Sequence, residues 1–312
     1  MEKEKVQRGS RRADSGFRIT VSSKGPVLIF GRPPLAQQFI MPNDRGESWE
    51  FAEGEHYSTD DQPTALCRCG ASKKKPYCDG SHVRAEWDPR LTASSEGLLE
   101  GAETFGGPEL KLTDNENFCV FARFCDAGGR VWNLVGISDD ADAKTLAVRE
   151  ANMCPGGRLS AWENRTGEPY EPDYAPSLGL IEDPGLGVSG GLWVRGGIPV
   201  QTQEGMAYEI RNRVVLCRCG ASKNKPFCDG SHAAVKFRET VTETMVFGGT
   251  LRMSGRRYDR GGITSSRPCR MICEPAWPCY LFIVTSSSSL FRVCSMCFII
   301  SSMASTEFMS AR

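Results

Sequence analysis

The sequence predicts an α+β protein in which two small β-rich modules flank a central α+β domain. A stretch of seventeen residues occurs twice, at 66–82 and 216–232. Short apolar segments precede both copies, and 33 glycines and 18 prolines indicate turns and short strands rather than long helices. A segment with a short helical pattern and its own cysteines separates the copies. The expected modules are 17–93 and 175–245, with a central domain at 105–165 and a tail of low order at 246–312.

The two copies read LCRCGASKKKPYCDGSH and LCRCGASKNKPFCDGSH, and they begin 150 residues apart. Upstream, GPVLIFGRPPL aligns without gaps on GGLWVRGGIPV, and each reads as a short strand, a turn with glycine and a second apolar position, like a β-hairpin. Trp87 and Phe237 each follow the last histidine of their copy by five residues. The first copy carries a longer acidic insert, in which His56 is expected on the surface. This self-similarity indicates that one module was duplicated.

Each module is too short to be stabilised by core burial alone. Domains of this size usually need a metal site or association with another domain. The sequence therefore predicts a metal centre in each module and pairing of the two modules within the chain.

The central domain contains Cys119 and Cys125 in a C-x5-C pattern, and Cys154 follows before a proline. DDADAKTLAVREAN predicts a short helix with Asp139 or Asp140 near its N-cap. Segment 164–184 is rich in Pro, Glu and Asp and is expected to be a linker. Three tryptophans are expected to pack in the core: Trp132, Trp162 and Trp193.

The tail has a run of serines and is expected to be disordered. Its apolar segment from Tyr280 approaches the length of a membrane span, but the serines and Arg292 argue against insertion. Five cysteines are irregularly spaced there: Cys269, Cys273, Cys279, Cys294 and Cys297.

No apolar stretch follows Met1, so no secretory signal is predicted. The 14 cysteines of the chain then favour metal binding or redox chemistry over a disulfide framework. We expect an intracellular protein, cytoplasmic in the first instance, with the mitochondrion left open. A net charge of zero gives no support for binding to nucleic acid or to an anionic membrane.

Each copy offers three thiols and one imidazole as metal ligands, in the order C-x-C, eight residues, C-x3-H. Such a donor set suits zinc or an iron–sulfur cluster, and the spacing alone leaves both open. A set of free thiols explains the pattern poorly, because the whole pattern recurs. The candidate ligands are Cys67, Cys69, Cys78 and His82 in the first copy, and Cys217, Cys219, Cys228 and His232 in the second.

Both copies match C-x-C-x2-[ST]-x3-P-x-C-D-G-[SAT]-H at every position. This pattern resembles the signature of the CDGSH iron–sulfur (mitoNEET-like) family. The resemblance implies a 2Fe–2S cluster in each copy, in which Cys67 and Cys69 bind one iron while Cys78 and His82 bind the other. It implies the same division for Cys217 and Cys219 and for Cys228 and His232. A histidine ligand makes such a cluster less anionic, raises its potential and renders it sensitive to acid.

The central cysteines, with CPGG at 154–157, resemble the divergent 4Fe–4S mono-cluster ferredoxin family. The resemblance implies a ferredoxin-like α+β fold and assigns Cys119, Cys125 and Cys154 as cluster ligands. Three cysteines suffice for a 3Fe–4S cluster, or for a 4Fe–4S cluster with a fourth ligand other than cysteine. The central domain offers no fourth cysteine and no histidine, so a scaffold with a labile cluster or none stays open.

The function expected from these features is iron–sulfur binding for electron transfer, redox sensing or cluster transfer, without a substrate pocket and hence without enzymatic activity of its own. The expected partners are redox proteins or apo iron–sulfur proteins. Two alternatives stay open. One is an electron-wire component of an oxidoreductase, and the other is a structural zinc-binding interaction protein.

Overall fold

A computed structural model describes residues 16–239. The predicted tail at 246–312, with its five cysteines and the apolar segment from Tyr280, lies outside the described residues. Within the described part of the chain, no helix is both long enough and apolar enough to cross a membrane.

Residues 16–239 form thirteen short strands and three α-helices, in the mixed α+β class that the sequence predicts. The first repeat copy comprises β1 (Arg18–Val21), β2 (Val27–Phe30), β3 (Leu35–Pro42), β4 (Ser48–Tyr57) and β5 (Thr64–Leu66). The central domain comprises β6 (Glu103–Gly106), β7 (Leu110–Asp114), α1 (Val131–Gly136), α2 (Ala141–Asn152), β8 (Leu159–Glu163) and β9 (Pro169–Tyr170). The second copy comprises β10 (Ser177–Asp183), β11 (Val188–Arg195), β12 (Val200–Thr202), β13 (Arg213–Leu216) and α3 (Ser231–Ala234).

The two repeat copies share both of their sheets. One sheet has the order β12-β1-β2-β5, and β12 runs parallel to β1 with Val200 opposite Ile19. The other has the order β13-β11-β10-β3-β4, and β3 runs parallel to β10 with Leu35 opposite Leu178. The first copy therefore contributes β1, β2 and β5 to one sheet and β3 and β4 to the other, whereas the second copy contributes β12 to the former and β10, β11 and β13 to the latter.

The expectation of a hairpin upstream of each cysteine loop is wrong. Strands β2 and β3 lie in different sheets, as do β11 and β12. The connecting turns carry left-handed backbone at Gly31 and Arg32 in the first copy, and at Gly196 and Gly197 in the second. These turns direct the following strand away from its neighbour in sequence and onto the other copy.

The expectation of a linker at 164–184 is also wrong in its second half. Strand β10 occupies 177–183 and pairs on one side with β11 and on the other with β3. Its apolar residues Leu178, Leu180 and Ile181 are buried. Prolines on either side of this strand gave the segment the composition of a loop although its interior is core.

One hydrophobic core lies between the shared sheets and takes residues from both copies. Ile19 and Ile29 of the first copy pack in it with Leu180, Val194 and Leu216 of the second. Burying a side chain of this size contributes about 1.5–3 kcal/mol. Because the core is common to both copies, neither copy buries its apolar residues alone.

In the central domain, α1 and α2 pack on the sheet β6-β7-β8-β9. The predicted helix is confirmed as α2, whose N-cap is Asp140 with its side chain accepting from the Ala143 amide at 2.8 Å. Trp162 and Trp193 are buried and Trp132 is partly buried against the core, as expected. His56 is exposed and lies 3.1 Å from Glu53, which confirms its surface position.

Candidate metal centres

The first cysteine loop follows β5 and is closed by short-range hydrogen bonds. The Cys67 amide donates to the carbonyl of Pro76, and the Cys78 amide donates to the carbonyl of Ala65, both at 2.8 Å. Asp79 accepts from the amides of Lys73 at 2.8 Å and Ser81 at 3.0 Å, one with each carboxylate oxygen. These bonds hold the two halves of the loop together without using any of the candidate ligands' side chains.

The four candidate ligands of the first copy form two pairs. Cys67 Sγ lies 3.7 Å from Cys69 Sγ, and Cys78 Sγ lies 3.3 Å from His82 Nδ1. Two thiolates on one tetrahedral metal lie about 3.8 Å apart, and a thiolate and an imidazole nitrogen about 3.6 Å apart, for typical bond lengths. Each pair therefore has nearly the spacing of two ligands on a single metal.

The second copy repeats this geometry. Cys217 Sγ lies 3.7 Å from Cys219 Sγ, and Cys228 Sγ lies 3.5 Å from His232 Nδ1. Asp229 accepts from the amides of Lys223 and Ser231 in the way that Asp79 closes the first loop. Within residues 16–239, no three His, Cys, Asp or Glu side chains are grouped around a position for one ion.

The surroundings of the first cysteine of each loop favour its thiolate, which is the form that binds metal. The pKa of Cys67 is lowered to about 6, first because the Cys69 thiol bonds to it and then because backbone amides of Ser72 and Gly70 surround it. The pKa of Cys217 is lowered to about 7 by Cys219 and by the equivalent amides. Burial acts in the opposite direction in both loops.

A buried arginine separates the two cysteines of each C-x-C pair. Arg68 donates to the carbonyls of Gly25 at 2.7 Å and Ser22 at 2.6 Å, and its guanidinium lies 4.6 Å from the centre of the Trp87 ring. Arg68 thereby fixes the cysteine loop to the β1–β2 turn and to the aromatic residue that follows the motif. Burial lowers the pKa of Arg68 to about 10.

Arg218 occupies the same position in the second copy and donates to the carbonyl of Gly190 at 2.9 Å. It also forms ion pairs with Glu182 at 2.9 Å and Glu239 at 3.1 Å. Burial opposes its charge, but Glu239 and Glu182 together raise the pKa of Arg218 above its ordinary value. The sequence analysis missed both arginines, although the repeated CRC triplet was a signal for them.

The two copies differ in the exposure of their histidines. His82 is partly exposed, and its Nε2 faces a groove of about 590 Å³ lined by Ser22, Gly25, Trp87 and Gln203 among others. His232 is only 5% exposed. Burial, together with the charge of Arg218, lowers the pKa of His232 to about 4. Two nearly identical sequences therefore place their histidines in different environments.

The three central cysteines lie close enough for the charges of Cys119 and Cys154 to act on Cys125. Cys119 follows a 3₁₀ turn, Cys125 lies in the next turn, and Cys154 follows α2. Burial raises the pKa of Cys125 to about 12, and the charges of Cys154 and Cys119 add to this effect. Arg158 bonds to the side chain of Cys119 and lies 2.5 Å from Asp114, so a permanent positive charge stands beside the cysteines.

Residues of the second repeat copy support the central cysteines. Arg213 donates to the carbonyls of Cys154 at 2.6 Å and Ala151 at 2.7 Å, and it pairs with Glu171 at 2.8 Å. Arg211 donates to the carbonyl of Gly156 at 2.6 Å. The turn after α2 therefore depends on side chains 55 to 62 residues further along the chain, and no local pattern in the sequence indicates this support.

Comparison with known families agrees with the resemblances stated above. Residues 24–83 and 189–233 match the family described as "Iron-binding zinc finger CDGSH type". Residues 105–164 match the family described as "Divergent 4Fe-4S mono-cluster". The chain thus carries two CDGSH-type regions with a divergent 4Fe–4S mono-cluster domain between them. No curated protein and no solved structure matches the chain.

Proposed function

We propose that this protein, with two CDGSH-type regions around a mono-cluster domain, binds a 2Fe–2S cluster in each CDGSH motif and serves in electron transfer. The family matches support iron–sulfur binding. The proposed ligands are the two pairs of each copy: Cys67 with Cys69 and Cys78 with His82, then Cys217 with Cys219 and Cys228 with His232.

The division of the ligands into pairs carries this proposal. A structural zinc site gathers four ligands around one ion, whereas a 2Fe–2S cluster takes two ligands on each of two irons. In both copies the two thiols of the C-x-C pair lie 3.7 Å apart, and the third thiol lies 3.3 or 3.5 Å from the histidine Nδ1. The four ligands of each copy are thus arranged as two pairs. This donor arrangement fits a two-metal centre.

A bound 2Fe–2S cluster supplies one-electron redox chemistry. The chain's own residues adapt the site to it. The amides of Ala71 and Ala221 point at Cys69 Sγ and Cys219 Sγ at 3.4 and 3.5 Å, and such hydrogen bonds to sulfur raise the potential of iron–sulfur centres. Nδ1 of His82 and of His232 lies beside the neighbouring thiol, so each histidine would hold the cluster through Nδ1 and carry a proton on Nε2.

For the central domain we propose a third centre, of the 3Fe–4S or 4Fe–4S type, on Cys119, Cys125 and Cys154. The match to a mono-cluster family supports it. So does Arg158, because its positive charge offsets the negative charge of a thiolate-bound cluster.

We further propose that the two CDGSH modules pair within one chain, which would replace the homodimer of single-motif relatives. The strands exchanged between the two sheets support this. The proposed partners are redox proteins or apo iron–sulfur proteins, and nucleic acid is not among them.

Anaerobic purification followed by a visible spectrum and analysis of iron, sulfide and zinc tests the proposal. Red-brown protein with about four irons corresponds to the two CDGSH clusters, and about seven or eight irons add the third centre. Colourless protein with about two zinc ions would contradict the redox function and favour a structural role. Transfer of iron and sulfide to an apo-ferredoxin would show cluster donation instead of electron transfer.

A further inference from the structure

The second CDGSH site lies between the other two candidate centres, and its two ligand pairs face opposite neighbours. Its Cys217/Cys219 pair lies against the first copy. Its Cys228/His232 pair lies against the segment of the central domain that carries Cys119. Each contact is made by a candidate ligand residue or by a residue within two positions of one.

The contact with the first copy joins Cys69 to Cys219. These two residues form an antiparallel β-bridge. The glycines that follow them are required for this approach. A Cβ atom on Gly70 would lie 2.6 Å from the Cys219 carbonyl oxygen, and one on Gly220 would lie 2.7 Å from the Cys69 carbonyl oxygen. The backbone of one ligand loop therefore packs directly on the backbone of the other.

The contact with the central domain joins Cys119 to the loop between Cys228 and His232. A Cβ atom on Gly230 would lie 3.3 Å from the Cys119 carbonyl oxygen and 3.1 Å from Phe121 Cβ. The charge of Cys119 also acts on Cys228, whose pKa is raised mainly by burial.

Two further contacts hold this junction. Asn224 donates to the carbonyl of Asn117 at 2.7 Å. The rings of Phe118 and Phe227 meet edge to face with 5.2 Å between their centres. Asn224 and Phe227 stand at the only two positions where the repeated seventeen-residue stretches differ, and Lys74 and Tyr77 replace them in the first copy.

The outer end of this arrangement is the first CDGSH site. Its Cys78 and His82 are both partly exposed, and His82 Nε2 faces the groove beside Gly25. At the second site, Cys228 is 2% exposed and His232 is 5% exposed. Of the two CDGSH sites, the first therefore presents its Cys/His pair to an outside partner.

We propose that the three ligand sets form one electron path in series, from the central cysteines through the second CDGSH site to the first, with exchange at His82. This extends the proposed function and depends on it. Sites with a histidine ligand have higher potentials than sites with cysteine alone, which gives the direction of the step out of the central site. The partly exposed Cys78 and His82 make the first CDGSH site the end at which the electron leaves. In each step one centre loses one electron and its neighbour gains one, and no ligand bond forms or breaks. An external one-electron donor reduces the central site, and a one-electron acceptor oxidises the first.

The unmodified protein, loaded with clusters and reduced with dithionite, gives the first test by electron paramagnetic resonance. We expect the signal of the second CDGSH site to be split or broadened by the spins of both neighbours. Three spectra that add as independent signals would contradict the series. This measurement needs no variant and reads out proximity rather than activity.

His232→Cys gives the second test, because a cysteine ligand lowers the potential in the middle of the path. Reduced protein is mixed with hexacyanoferrate(III), and each centre is followed by rapid freezing and resonance spectra. Reoxidation of the central site should slow at least about tenfold, a factor that corresponds to about 59 mV for one electron. Reoxidation of the first site should keep its rate.

The same substitution at exposed His56 is the matched control and should leave all rates unchanged. A central site that reoxidises at the wild-type rate in His232→Cys would overturn the series. Iron analysis of each sample separates the two levels of the proposal. Protein without iron contradicts the proposed function, whereas fully loaded protein with independent centres contradicts the series alone.

Discussion

Arg213 shows how much of the central turn depends on one side chain. It is fully buried in β13, and it donates to the carbonyls of Ala151, Asn152 and Cys154 at the end of α2. Its charge is balanced by Glu171, whose side chain is 2% exposed. The last carbonyls of a helix have no partner within the helix, so a buried helix end needs such a donor.

Replacement of Arg213 by Met should lower the free energy of unfolding by about 3–5 kcal/mol, because buried Glu171 loses its ion-pair partner and the carbonyls of Ala151, Asn152 and Cys154 each lose a donor. Urea unfolding followed by circular dichroism measures this loss. Arg90→Met is the control, since Arg90 pairs with Asp88 at the surface and should leave the midpoint unchanged. Equal midpoints for the two variants would show that Arg213 does not hold the turn.

Glu150 is a buried carboxyl group of α2 for which neither oxygen has a hydrogen-bond partner among the described residues. Burial raises its pKa from the ordinary value of 4.5 to about 8, and the charges of Asp126 and Glu47 add to the rise. Between these two pKa values the unfolded chain releases the proton while the folded chain keeps it. Folding is therefore weakened as the pH rises from about 4.5 to about 8.

Glu150→Gln removes this titration and should stabilise the protein by about 1–3 kcal/mol at pH 9, with a smaller gain at pH 6. Urea unfolding at a series of pH values gives the comparison. Glu96→Gln, at an exposed position, should follow the wild type throughout. A gain that does not depend on pH would mean that Glu150 is already ionised in the folded protein.

Among the elements, the strands next to the cysteine loops were predictable and their partners were not. Apolar runs such as VLIF and GGLWV indicate strands because they are short, contain β-branched and aromatic residues, and are followed by turns with glycine. The same pattern does not tell whether β3 pairs with β2 or with a strand far along the chain. That choice depends on the turn at Gly31 and on the core shared with β10, which are properties of the fold.

The two repeat copies are joined by the pairs β1–β12 and β3–β10. Cleavage of the chain between the copies is therefore expected to leave the two fragments associated. A protease site inserted between Thr166 and Gly167 lies in an exposed turn of the β8–β9 hairpin. After cleavage, the two fragments should elute together in gel filtration, because β12 stays paired with β1 and β3 with β10. They should separate only in denaturant. Fragments that part under native conditions would contradict the shared sheets.

For the whole molecule, the candidate ligands of the CDGSH motifs could be predicted because one continuous loop carries all four donors of each site. Their surroundings could not. The loops of His82 and His232 differ at two positions, yet the central domain packs beside Gly230 and leaves Gly80 uncovered. Packing between distant segments has no local sequence signal, and it gives two nearly identical motifs different solvent exposure. The central cysteines show the same limit, since their support comes from Arg211 and Arg213.

If each CDGSH motif holds a cluster as proposed, the different exposure of the two histidines predicts that the two clusters are lost at different rates in acid. Loss begins when a proton reaches the histidine ligand, and His232 is 5% exposed whereas His82 opens on a groove. A tenfold difference in rate corresponds to about 1.4 kcal/mol in activation free energy. Placing an unpaired charge on a buried histidine costs more than this. Visible absorption should therefore decay in two phases whose rates differ by at least about tenfold.

The matched variants assign the phases. His82→Cys should remove the fast phase, because a thiolate replaces the accessible imidazole, and should leave the slow phase as it is. His232→Cys should alter the slow phase alone. Stopped-flow mixing into acidic buffer, with iron content measured beforehand, gives both rates in one trace. If His82→Cys left the fast phase unchanged, acid would enter by another route, and the exposure of His82 would not decide which cluster is lost first.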